Sequence, residues 1–155
     1  MKKWTLVLCT AAAALCLTAC GGKKEPEVSV DPAKLAEELL DTVTSDTLTQ
    51  TASDMLPSIY FYEKDDVASA VAYASSGATA CEVAVIESTK ADNTSNIEKL
   101  FQTRVDNQSS LYASYNEAEV AKLDDAIIKS AGTYTVLCVC DDTDKAEDIL
   151  KEYGF

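Results

Sequence analysis

The chain has 155 residues, carries 13 lysines and arginines against 26 aspartates and glutamates, and contains no histidine, for a formal net charge of −13. Such an acidic surface repels nucleic acid and anionic lipid headgroups, which excludes a nucleic-acid-binding role. The absence of histidine removes the usual proton shuttle near neutral pH, histidine-based triads and histidine metal ligands.

The first segment is an export signal. Lys2 and Lys3 supply a positive start, Trp4 to Leu17 is an uncharged apolar run of about fourteen residues, and Leu17-Thr18-Ala19-Cys20 closes it. The run is shorter than the roughly 20 apolar residues a spanning helix needs. A leucine, two small residues and a cysteine form the pattern of a bacterial prolipoprotein signal; an ordinary secretory signal has no need of the cysteine. The expected organisation is a cleaved signal peptide over 1–19, a flexible tether over 20–30 beginning at lipidated Cys20, and a single domain over 31–155. Diacylglyceryl modification of Cys20 would hold the protein on the extracytoplasmic face of the cell membrane, since two acyl chains anchor stably where one does not. Removing the signal leaves 11 basic side chains against 26 acidic ones, a mature net charge of −15.

Gly21 to Val30 is small, charged and proline-containing, and reads as a spacer. Asp31-Pro32 marks a helix start, with Asp31 as N-cap and Pro32 in the first turn, and Leu35, Leu39 and Val43 follow at helical spacing. From Ser45 to Lys64 no period emerges, so loops and short turns are expected. Val67, Ser69, Val71 and Tyr73 alternate as a strand, Ser75-Ser76-Gly77 breaks it, and Cys81, Val83 and Val85 open a second, antiparallel one. Ile97, Leu100, Phe101, Val105 and Tyr112 define a long helix capped by Asn93 or Thr94. Asn116 followed by Glu119 predicts a capping box on a shorter helix. Ala126–Lys129 and Tyr134–Cys140 are apolar runs joined by a tight Ser130–Thr133 turn. Asp141-Asp142 precedes a terminal helix over Thr143–Tyr153. The order α-β-β-α-α-β-β-α implies an α+β two-layer sandwich, a four-stranded, mainly antiparallel sheet with helices on one face.

The chemistry is sparse. After signal removal and lipidation the remaining thiols are Cys81, Cys138 and Cys140; their apolar neighbours suggest small buried hydrophobes, with a Cys81–Cys138 or Cys81–Cys140 bridge left open. Neither Gly-x-Ser-x-Gly, a P-loop nor Gly-x-Gly-x-x-Gly occurs. The acid pairs Asp65-Asp66, Asp124-Asp125 and Asp141-Asp142 read as helix caps and solubilising charge. Arg104, the only arginine, reads as an ion pair or a snorkelling side chain, with anion recognition as the alternative. Ser75, Ser76, Gly77 and Thr79 form the candidate ligand or partner loop, because a Ser/Gly/Thr connection can turn hydroxyls and backbone N–H groups outward. Tyr60, Tyr62 and Tyr73 offer a neighbouring aromatic surface or half-buried core.

The run Ser75-Ser76-Gly77-Ala78-Thr79-Ala80 with the strand Glu82–Val85, the run Tyr115-Asn116, Glu119-Val120, Lys122-Leu123 and Ala126–Ile128, and Gly132-x-Tyr134 leading to Asp141-Asp142 resemble a family of small uncharacterised lipoproteins of Gram-positive bacteria. Its motif reads about Ser-Ser-Gly-Ala-Thr-Ala-Glu-Glu, so Cys81 stands where that family often has an acid. The resemblance implies a surface lipoprotein and no catalytic residue, cofactor or metal. The expected function is a membrane-anchored binding or protein-interaction module with an envelope protein as partner; the alternative is a carboxylate-dependent extracytoplasmic hydrolase or transferase.

Overall fold

The computed structural model describes residues 28–155. The signal segment 1–19, Cys20 and tether residues 21–27 lie outside the described residues. Val28 and Val30 pack on the domain: Val30 is buried, and Val28 lies against Gly132 and Gly154.

Helix α1 (Pro32–Leu39) starts as its sequence dictates, with the Asp31 carboxylate accepting from the N–H groups of Ala33 (3.0 Å) and Lys34 (3.3 Å). Leu35, Ala36 and Leu39 carry its stripe into the core, each 0% exposed. Strand β1 (Thr49–Gln50) and helix α2 (Leu56–Tyr60) occupy the stretch expected to be irregular. Next come strands β2 (Val67–Ala74) and β3 (Glu82–Ser88), helices α3 (Thr94–Tyr112) and α4 (Glu117–Asp124), strands β4 (Ile127–Ala131) and β5 (Tyr134–Val139), and helix α5 (Thr143–Glu152). Gly132 closes the β4–β5 turn at φ +59°, a left-handed conformation that glycine adopts without steric cost.

The sheet has five strands in the order β1-β2-β3-β5-β4, all neighbours antiparallel. This corrects the four-stranded expectation: β1 is only two residues long and pairs Thr49 and Gln50 with Ala74 and Tyr73. A second correction concerns the layers. Helices cover both faces. Val71, Val83, Val85, Val136 and Cys138 point toward α1 and α5, while Ala72, Ala84, Ile86, Leu137 and Val139 point toward α2, α3 and α4. The reason is visible in β3 and β5, where both alternating sets are apolar; a strand covered on both sides reads as a continuous hydrophobic run.

Two caps differ from expectation. The Asn93 amide donates to Asp66 (3.0 Å) instead of capping α3. Asn116 makes no side-chain cap on α4, and Glu119 turns to tertiary partners.

The strand directions define two poles. The ends of β4 and β3, the β4–β5 turn and Val28 gather at one. The start of β3, the end of β5 and the Ser75–Ala80 connection gather at the other.

Candidate ligand and partner site

The β2–β3 connection is held from beneath. Ser75 and Thr79 donate their hydroxyls to Asp46 Oδ2, at 2.5 and 2.9 Å. The Ser75 hydroxyl oxygen in turn accepts from the N–H groups of Gly77 (3.1 Å) and Thr79 (3.0 Å). The Ala80 N–H donates to Glu119 Oε2 at 2.8 Å, and the Tyr112 hydroxyl donates to the Thr79 carbonyl. Most polar groups of the loop are therefore committed inward. Ser76, Gly77 and Ala78 form its exposed tip, where Gly77 at φ +108° has no atom near the place a Cβ would occupy. Of the four loop residues singled out in the sequence, Ser75 and Thr79 build the frame, and Ser76 and Gly77 face outward.

Under this frame sits an ion network centred on Lys122 of α4. Its ammonium lies 2.8 Å from Asp141 Oδ1, 3.3 Å from Glu119 Oε2, 3.1 Å from Ser45 Oγ and 3.3 Å from Cys81 Sγ. Asp141 is further tied to the 44–45 segment: its Oδ2 accepts from the N–H groups of Thr44 (2.6 Å) and Ser45 (2.8 Å), and its Oδ1 from the Ser45 hydroxyl (2.9 Å). Lys122, Asp141 and Glu119 keep only 15, 18 and 12% of their side-chain surface exposed. One ammonium thus joins four segments: the 44–45 turn, the start of β3, α4 and the end of β5.

Burial works against each of these charges, and the hydrogen bonds outweigh it. Bonds to Asp141 and Cys81 hold the Lys122 ammonium well above the ordinary lysine range. Bonds from Lys122, Ser45 and Thr44 hold the Asp141 carboxyl well below the usual carboxylate range. The hydroxyls of Ser75 and Thr79 lower Asp46 likewise. A Ser45–Lys122 pair therefore lacks the neutral amine that serine activation requires, and neither Asp46 nor Asp141 is tuned to donate a proton near neutral pH.

A second ionic group borders the first on the α3 face. Arg104 grips Glu82 through Nε (3.3 Å to Oε1, 3.2 Å to Oε2) and one terminal nitrogen (2.9 Å to Oε2), and the Tyr60 hydroxyl donates to Glu82 Oε1 at 2.6 Å. Glu82 is 3% exposed. The ion-pair reading of Arg104 is thus what the structure contains. Tyr60 packs edge-on to Phe101, ring centres 5.4 Å apart, and Tyr60 and Tyr62 are buried rather than an open aromatic surface.

The three thiols are free and buried, with no bridge from Cys81 to Cys138 or Cys140. Cys138 and Cys140 share one face of the core, as their alternation implies. The neighbouring Cys138 thiol draws Cys140 below the ordinary thiol value, and Cys138 itself rises through that pairing and through burial. Among the described residues no group of three acids or cysteines is placed to hold a metal ion, and no helix is long and apolar enough to cross a membrane.

The acid pairs separate. Asp141 joins the network while Asp142 caps α5 by accepting from the Lys145 N–H (3.0 Å); Asp65-Asp66 sits near the opposite pole. Asp124-Asp125 corrects the cap reading, for Asp124 ends α4 and Asp125 is its C-cap, the wrong end of the dipole for an acid. Sequence reasoning missed Lys122, Ser45 and Asp46 as site residues. The Thr44-Ser45-Asp46-Thr47 run was a usable signal; Lys122 had none.

A family model described as a domain of unknown function (DUF4358) matches residues 41–140, which contain every residue of the network except Asp141. No curated protein and no solved structure matches the chain.

Proposed function

The chain belongs to the DUF4358 family, and from that premise we propose that it is a membrane-anchored lipoprotein of the extracytoplasmic face, of the Gram-positive type, acting as a protein-interaction module at the cell envelope. The Leu17-Thr18-Ala19-Cys20 signal supports the anchor. One observation carries the interaction reading. The first described residue, Val28, lies against the β4–β5 turn, whereas the Ser75–Ala80 tip and its ionic frame stand at the opposite pole. Strands of seven or eight residues separate the two by about 25 Å. A lipid on Cys20 would therefore display the loop away from the bilayer, and the mature charge of −15 keeps the rest of the surface off anionic headgroups.

The charge states favour binding over carboxylate chemistry. A general acid needs a raised carboxyl pKa, and the two loop-pole carboxylates whose values move, Asp46 and Asp141, both move down. A fixed, fully bonded frame presenting a small exposed tip suits recognition.

The test has two arms. Cys20→Ala should move the protein from the membrane fraction to the soluble one; unchanged fractionation removes the anchor. A photocrosslinking residue at Ser76, in the lipidated protein in its native membrane, should capture a reproducible partner that the same residue at exposed Asp92, at the other pole, does not. Equal or absent capture at both positions removes the loop as the contact.

A further inference from the structure

The sheet ends in two unlike edges. β1 offers two residues, too few to template a partner. β4 offers five, Ile127–Ala131, paired on one side only with β5. Among the described residues no other backbone or side-chain group bonds to the backbone of β4. In an antiparallel ladder every second residue of such an edge directs its N–H and C=O outward, and an edge of this length is a ready template for another strand.

Two depressions lie beside the start of that edge, one between α3 and α4 and one toward α5, and they share Asp124 and Ala126. The first, about 330 Å³, lies on the α3 side and is lined by Val105, Asp106, Leu123 and Asp124. The second, about 460 Å³, lies on the α5 side and is lined by Asp125, Ile127, Lys129 and Glu147. A strand added beside β4 would send alternate side chains to opposite faces as it passes these depressions. That is the arrangement by which strand addition acquires specificity: main-chain bonds hold the segment, and alternate pockets read its side chains.

The charge of the depressions selects the side chains. Lys129, the one cation among the lining residues, is already engaged by Glu147. Asp106, Asp124 and Asp125 are exposed and take part in no ion pair among the described residues. Asp124 and Asp125 also sit at the C-terminal end of α4, where the helix dipole disfavours them. Local stability does not explain two acids there; a cationic partner does.

We propose that the outer edge of β4 receives an extended, lysine- or arginine-bearing segment of a partner protein as a sixth strand, its basic side chains reaching Asp106, Asp124 and Asp125. A second copy of this chain is a poor occupant, because its β4 carries a single cation, Lys129, already engaged by Glu147. The surface deepens the interaction-module reading without depending on the anchor or the Ser75–Ala80 loop, so either can fail while the other stands.

The experiment uses the full chain and two nine-residue probes, one alternating lysine with valine and one alternating glutamate with valine. Amide exchange over residues 127–131 should slow at least tenfold with the lysine probe and stay unchanged with the glutamate probe. Asp124→Asn/Asp125→Asn should weaken the lysine probe at least fivefold while leaving the unfolding midpoint equal or higher, since the substitutions remove charge from the wrong end of a dipole. Unchanged exchange at saturating lysine probe overturns the proposal, as does equal protection by both probes or unchanged affinity in the double variant. Protection that grows with protein concentration and needs no probe assigns the edge to self-pairing and overturns it equally.

Discussion

Two ionic groups sit side by side at the same pole and are built on opposite principles. Arg104–Glu82–Tyr60 is balanced: one guanidinium, one carboxylate, one phenol, with Glu82 3% exposed. Lys122 is outnumbered, its single ammonium shared among Asp141, Glu119, a hydroxyl and a thiol. The first joins α2, α3 and β3 and would serve in any core. The second joins the loop frame to α4 and the end of β5, and concentrates negative charge where the exposed tip begins. The balanced group is a staple; the unbalanced one leaves negative charge beside the exposed tip.

The comparison can be broken at its strongest point first. Arg104→Met leaves Glu82 buried and half-partnered and should cost about 3 kcal/mol, the scale for breaking an enclosed pair, read from urea denaturation. Adding Glu82→Met should recover most of that loss, because a balanced pair replaced as a unit leaves no orphan charge. Failure of the double variant to recover would make the pair more than a staple.

Lys122→Met should cost about 2 kcal/mol, less than a fully enclosed pair because its partners keep some water. Its distinctive signature is local: faster thiol labelling of Cys81 and faster amide exchange over 75–81, with α1 and β5 unaffected. Uniform loosening would erase the distinction between the two groups.

The smallest effect is the pH dependence. Asp141 is lowered in the folded state, so its stabilisation is complete above the ordinary carboxylate value of about 4 and is lost as pH falls below it. Lys122 is raised, so its part is complete below about pH 10 and is lost only above that. Stability should fall on the acid side of about pH 4, and Asp141→Asn should flatten that acid limb. An unaltered limb would remove Asp141 as its source.

Local chemistry made much of this legible in advance. The Asp31-Pro32 start, the α3 stripe and both hairpins follow from neighbours within a few residues. β1 escaped because two polar residues carry no period, and α2 because five residues opening Leu56-Pro57 carry too little of one. The layer count was misjudged although Ala84, Ile86, Leu137 and Val139 were present as a second apolar set. At the site, Ser75 and Thr79 stood out by residue type, but their partner Asp46 lies about thirty residues away. Glu119 shows the limit most clearly: its local pattern predicts a capping box, and the distant Ala80 N–H, with the Lys122 ammonium one turn on, outbids it.

Val28 touches both Gly132 and Gly154, so the first and last described stretches meet at one pole. A short linker from Phe155 to Val28 would close the fold into a ring without crossing the sheet, and the chain could be reopened at Gly77, where nothing packs. Such a circular permutant would keep every strand pairing while moving both free ends to the loop pole. A fluorophore placed after Phe155, by contrast, sits at the pole of Val28 and leaves the loop unobstructed.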